Sequence, residues 1–127
     1  MVQKQIVMGG APEGFDAKLV LNEMAKVNGP VIHVARDDKR LASMRDALAF
    51  LAPEVPVVSF PGWDCLPFDR VSPNADISSA RMAALAGFLH GMPAQYILLT
   101  TLSAVTQKLP ARDVLREAAF VANVGGR

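Results

Sequence analysis

The residues Gly9-Gly10-Ala11-Pro12-Glu13-Gly14-Phe15-Asp16 follow the apolar run Gln5-Ile6-Val7-Met8. A phosphate-binding loop, G-x-x-x-x-G-K-[ST], follows a strand and opens a helix. Its lysine holds phosphate and its hydroxyl holds magnesium. Gly9 and Gly14 have the separation of that frame. Phe15 stands at the lysine position and Asp16 at the hydroxyl position. Losing the lysine forfeits about 1.5–3 kcal/mol of charge-assisted bonding. A carboxylate ~4 Å from a phosphate oxygen, at an effective dielectric of ~20, adds repulsion of about 4 kcal/mol. Each 1.4 kcal/mol is about tenfold in affinity, so a micromolar site would weaken past millimolar. Glu13 adds a second acid. The loop therefore reads as a vestigial phosphate cradle that binds no nucleotide. The plainer alternative is a tight strand-to-helix turn that needs glycines and nothing more.

The most distinctive segment runs from Phe60 through Pro61-Gly62-Trp63-Asp64-Cys65-Leu66-Pro67-Phe68-Asp69-Arg70 to Pro73. Connections of this length are usually functional or disordered, and this one is too aromatic to be disordered. Either Trp63, Leu66 and Phe68 pin the loop to the fold, or Trp63, Leu66, Phe68, Asp69 and Arg70 form a docking surface. Asp64, Asp69 and Asp76 lack a neighbouring histidine and any metal-ligand spacing, so they read as solvated or capping carboxylates. His33 falls inside an apolar run and reads as a core histidine. His90 ends a helix, where a cation complements the dipole. No serine or cysteine sits on a nucleophile elbow. Arg36, Lys39, Arg40 and Arg45 are offset by Asp37, Asp38 and Asp46, which describes a solvated helix face. No catalytic residue and no metal site is assigned.

The elements that must position these residues alternate. Ile6–Met8 reads as a short buried strand. A helix over Phe15–Val27, with Val20, Leu21, Met24 and Val27 on one face, ends at Asn28-Gly29-Pro30. Val31–Ala35 is a strand apolar on both faces, as in parallel sheets. Asp37 can cap a helix carrying Leu41, Met44, Leu48 and Leu51. Val55–Phe60 is a strand whose Pro56 suits an edge. A helix over Ile77–Leu89 faces the core with Ile77, Ala80, Ala84 and Phe88. Tyr96–Thr100 is the strongest apolar strand. Short helices over Leu102–Lys108 and Ala111–Ala118 lead to a further strand over Phe120–Val124. Such alternation gives an α/β fold, a mostly parallel sheet with helices on both faces in three layers. It is P-loop-NTPase-like in order, with the phosphate loop degenerate. Ligand sites of such sheets lie at the carboxyl ends of the strands. There the Gly9–Gly14 loop, the Arg36-Asp37 turn, the Trp63 connection and Thr100-Thr101 should meet.

Composition sets outer bounds. The 127 residues suit one domain, and 51% hydrophobic content supports a core. A net charge of +1 gives no strong attraction to nucleic acid or to anionic membranes. With one cysteine, Cys65, a disulfide framework is excluded and a reducing cytoplasm is expected. No apolar stretch approaches the ~20 residues of a membrane span. The closing Val124-Gly125-Gly126-Arg127 suggests a piece of a longer protein.

Three stretches resemble one family. They are Gly10-Ala11-Pro12-Glu13-Gly14-Phe15-Asp16-Ala17, His33-Val34-Ala35-Arg36-Asp37-Asp38, and Trp63 to Pro73, which carries a W-[DE]-x-L-P-[FY]-D motif with S-P following. Ser79-Ala80-Arg81, Ile97–Thr101 and Gln107–Pro110 continue the match over essentially the whole chain. The chain resembles the bacterial transcription-repair coupling factors (Mfd). The resemblance implies that residues 1–127 are one truncated lobe, like domain 1A of the helicase-like repair protein UvrB, with its ATP site decayed. It implies a parent that displaces stalled RNA polymerase and recruits excision repair through UvrA. That parent drives a separate DNA-translocating motor with ATP and magnesium. UvrA and RNA polymerase would be met through other parts of the parent, so this lobe's partners would be neighbouring domains. The resemblance implies no cofactor for the lobe itself, and its near-neutral charge argues against direct DNA binding. The competing expectation is a working nucleotide-binding lobe with unusual ligation.

Overall fold

A computed structural model describes residues 4–66 and 69–119. The elements run α1 (Phe15–Lys26), β1 (Val31–Ala35), α2 (Asp38–Leu51), β2 (Val57–Phe60), α3 (Ala75–His90), β3 (Ile97–Thr101), α4 (Leu102–Thr106) and α5 (Arg112–Ala118). The three strands form one parallel sheet in the order β1-β3-β2. The most apolar strand therefore takes the centre, where both of its edges are paired. Pro56, which cannot donate to a ladder, precedes edge strand β2, and its carbonyl accepts from Ile97 N at 2.9 Å.

Local signals set most boundaries. Gly14, at φ +83°, turns the chain into α1, a left-handed conformation that favours glycine. Asp37 caps α2, its Oδ1 accepting from Arg40 N at 2.9 Å. Asn74 caps α3 through Asp76 N at 2.9 Å. Gly91, at φ +108°, closes α3.

Both faces of the sheet are packed. On one, α1 and α2 bring Ala17, Leu41, Met44 and Leu48 against Ala35, Ile97 and Leu99. On the other, Ala84 and Leu85 of α3 and Ala104 of α4 meet Phe60, with Val58, Leu98 and Leu115 alongside. The α/β reading with a parallel sheet and helices on both faces therefore stands. No helix among the described residues is long and apolar enough to cross a membrane.

Three expectations need correction. Ile6–Met8 forms no strand: Ile6, Val7 and Met8 are 60%, 85% and 52% exposed and belong to no element. The glycine loop therefore does not follow a sheet strand, and the phosphate-loop frame is incomplete. On α3, Ala84 is buried as expected and Ile77 and Ala80 are half-buried, but its other buried residues are Arg81 and Leu85, and Phe88 is exposed. Apolar residues surround that helix on nearly every side, so spacing alone does not select a face. Leu51 and Val27, expected on core stripes, are exposed where their helices end. The strand expected over Phe120–Val124 lies outside the described residues.

Candidate functional site: the carboxyl edge around Trp63

Strands β2 and β3 end side by side, and Thr100 Oγ1 donates to the Phe60 carbonyl at 2.9 Å. The chain then passes over the start of α4 at Gly62. A Cβ there would stand 2.6 Å from Ser103 Oγ, so only glycine fits without displacing that hydroxyl. Ser103 Oγ in turn lies 3.0 Å from Thr101 Oγ1, which caps α4 by accepting from Ala104 N.

Beyond Gly62 the Trp63 connection is clamped by one buried side chain from α3. Arg81 is 1% exposed. Its guanidinium carbon lies 4.3 Å from the Phe60 ring centroid and 4.5 Å from that of Trp63. Arg81 Nη1 donates to the Pro61 carbonyl at 2.6 Å and to Gln107 Oε1 at 3.4 Å. The same Gln107 oxygen accepts from Trp63 N at 2.9 Å. Arg81 Nε has no partner among the described residues. A planar, weakly hydrated guanidinium tolerates aromatic faces better than an ammonium would. Burial pushes the Arg81 pKa down, yet arginine keeps its proton in proteins. Among the described residues, two π faces, a carbonyl and an amide oxygen solvate this charge in place of a carboxylate.

Next to the clamp lies a cavity of about 910 Å³, lined by Trp63, Leu66, Val71, Pro73, Gln107 and Lys108 among others. Of the residues expected on a docking surface, Trp63 is half-buried against Arg81, while Leu66, Asp69 and Arg70 are exposed. Phe68 lies outside the described residues. Asp69 Oδ1 accepts from Arg70 N at 2.8 Å. Asp64 accepts from Asn74 N at 3.2 Å, tying the loop to the start of α3. The described residues hold no group of three histidine, cysteine or acidic side chains able to bind a metal ion.

The glycine loop lies elsewhere along the same edge. Gly9 and Gly14 have open space where a Cβ would stand. Phe15 begins α1 and is 40% exposed. Asp16 is half-buried, and its Oδ1 accepts from Ala17 N at 3.0 Å. Glu13 reaches Arg40 at 3.8 Å, which brings this loop to the Arg36-Asp37 turn. Arg36, just before α2, pairs with Asp37 at 2.9 Å, and within α2 Arg45 pairs with Asp46 at 3.4 Å, so with the Glu13 contact all three arginines here lie near an acid. The Arg40 amide, then the Arg36 side chain, hold the Asp37 carboxyl below its usual range. The edge thus carries two separate groupings, Glu13 with the Arg36-Asp37 turn and the Trp63 connection with Thr101 to Gln107.

Arg81 and Gln107 are functional residues that residue type and spacing do not mark, although both stand in the motifs that carry the resemblance. The available signal was a lone arginine amid Ile77, Ala80, Ala84 and Leu85, with Phe60 and Trp63 as candidate partners. Composition could not say that the helix would turn it inward.

No family model and no solved structure matches the chain. Curated sequences do. A transcription-repair-coupling factor of Haemophilus influenzae is 27% identical over 121 residues, covering 95% of this chain and 10% of that protein. The factor of Rickettsia prowazekii is 29% identical over 83 residues, covering 65% of this chain and 7% of that protein. The factor of Escherichia coli is 25% identical over 126 residues, covering 98% of this chain and 10% of that protein. The chain spans a tenth or less of the length of these curated relatives. Three curated relatives thus bear the same name, and the motif resemblance stands: the chain is similar to a segment of the transcription-repair-coupling factors.

Proposed function

We propose that the chain is a non-catalytic scaffold and interaction lobe of a cytoplasmic transcription-coupled DNA repair factor. Its parent displaces stalled RNA polymerase and recruits excision repair through UvrA, using an ATP- and magnesium-dependent motor that lies in another part of the protein. The lobe binds no cofactor and supports that recruiting module by packing on neighbouring domains. The observation that carries this reading is on β1. Ile32 and Val34 are 60% and 46% exposed on the face where Phe60, Val58 and Leu98 lie under α3 and α4. A strand apolar on both faces, in a sheet otherwise covered on both, is suited to a further packed layer. The acids Glu13 and Asp16 in the glycine loop support the absence of nucleotide chemistry.

The test is calorimetry of the isolated chain with ATP and magnesium. The expected outcome is no binding heat up to millimolar nucleotide. Micromolar affinity would overturn the reading and favour a working nucleotide lobe with unusual ligation.

A further inference from the structure

The cavity beside the Arg81 clamp has the make-up of a ligand site. Its volume is about 910 Å³, and small-molecule pockets run from about 300 to 1,000 Å³. Trp63, Leu66, Val71 and Pro73 give it apolar walls. One face of the Trp63 ring is taken by the Arg81 guanidinium, 4.5 Å from its centroid. The rest of the ring is what Trp63 offers to the cavity. The walls are tied down on both sides. Arg81 Nη1 donates to the Pro61 carbonyl at 2.6 Å, before Trp63, and Asp64 accepts from Asn74 N at 3.2 Å, after Pro73. A cavity held in shape in this way leaves less ordering to be done when a ligand enters.

The clamp also fixes the polar end of the cavity. Gln107 Oε1 accepts from Trp63 N at 2.9 Å and from Arg81 Nη1 at 3.4 Å. A backbone amide and a guanidinium only donate, so the Gln107 carboxamide has one allowed orientation. Its oxygen faces the clamp, and Nε2, on the other arm, is turned away from it. Gln107 and its neighbour Lys108 both line the cavity. A carboxamide donor and an ammonium therefore stand side by side at one end of an apolar chamber. Asp69 is the one acid among the described lining residues, and its Oδ1 accepts from Arg70 N at 2.8 Å. Two adjacent donors, one of them charged, suit an acceptor with two oxygens and a negative charge. Hydrogen bonds to ionised groups are about twice as strong as neutral ones.

We propose that this cavity binds a small carboxylic acid with an apolar body. The carboxylate lies between Gln107 Nε2 and Lys108 Nζ, and the body packs on Trp63, Leu66 and Val71. The ligand is a free molecule, because the chamber has the volume of a small-molecule pocket rather than the spread of a protein interface. A bound acid would brace the Trp63 connection against α3 through Gln107, the residue that serves both the clamp and the cavity. The site stands apart from the scaffold reading, which nucleotide binding at the glycine loop tests.

Titration of the whole 127-residue chain with octanoate tests it. Emission of Trp63 and the side-chain amide signal of Gln107 in NMR are the two readouts. The comparison probes are octanamide, which lacks the charge, and octylammonium, which reverses it. The expected result is a saturable response of both readouts to octanoate, with an affinity about tenfold or more above that of either comparison probe. Lys108→Met, which keeps the stem of an exposed side chain and removes its charge, should abolish that preference and leave octanamide unaffected. No saturable response to octanoate overturns the site. Equal affinity for octylammonium or octanamide overturns it, as does a preference that survives Lys108→Met. Shifts at the Ile32 and Val34 amides with Gln107 unmoved also overturn it and assign binding to the exposed face of β1. An acetylated trileucine that binds more tightly than octanoate overturns the free acid and assigns the cavity to the end of a peptide chain.

Discussion

Arg81 takes a positive charge into the interior with no carboxylate among its described partners. Each aromatic face contributes about 0.5–2 kcal/mol, and the bond to the Pro61 carbonyl about 1.5–3 kcal/mol. Desolvation of the charge offsets part of that sum. Arg81→Ala should therefore cost about 2–4 kcal/mol. Arg81→Met, which keeps the stem and removes the charge, should cost less, while Arg81→Lys exchanges a flat guanidinium for a strongly hydrated point charge and should recover little. Trp63 is the chain's one tryptophan, so urea unfolding followed by its fluorescence reads both stability and the clamp. The native emission of Arg81→Ala should shift to the red as the indole loses its cover. An Arg81→Ala chain within 0.5 kcal/mol of the parent and unshifted in emission would mean that the stack does not hold the loop.

At the scale of elements, β1 and α1 are coupled through a titratable pair. His33 is half-buried in β1, and its pKa is lowered by burial, with Asp16 of α1 pulling the other way. With the folded pKa below the ordinary value of about 6.5, the unfolded chain takes up the proton first as pH falls. The neutral-histidine contribution is thus complete above about pH 6.5 and declines as pH falls from there through the lowered folded pKa. His33→Gln should flatten that limb of the stability curve. Asp16→Asn should move the His33 titration, followed by NMR, to still lower pH. A His33 that titrates at or above the ordinary range would remove the argument. The same elements mark what the sequence discloses. Strand Val31–Ala35 is legible to the residue because Pro30 and the Arg36-Asp37 turn bound a run that is apolar except at His33. The cap at Asp37 was legible because capping is local. Ile6–Met8 misled because three apolar residues become a strand only when an edge receives them, and that depends on the rest of the sheet. Trp63 marked the candidate site, but its clamp did not, because Arg81 and Gln107 arrive from other elements and only packing decides which way they face.

For the molecule as a whole, the informative surface is the one that the protein's own helices leave bare. On the α3 side of the sheet, β2 and β3 are covered while Ile32 and Val34 of β1 are not. Side chains that are already solvated contribute little burial, and substitutions at such sites usually move stability by no more than about 0.5 kcal/mol. Ile32→Lys combined with Val34→Lys should therefore leave the urea midpoint of the isolated chain nearly unchanged, apart from a small loss of strand propensity. The pair should also reduce binding of an apolar dye and any self-association at high concentration, because the exposed patch is what drives both. Placed in a longer protein where a neighbouring layer covers this face, the same pair would bury two ammonium groups without partners, at a cost of several kcal/mol. The contrast between the two contexts is the measurement. A loss above about 2 kcal/mol in the isolated chain would mean that the face is already covered within these 127 residues. In that case the packing surface has to be sought around Leu66 and the Trp63 groove instead.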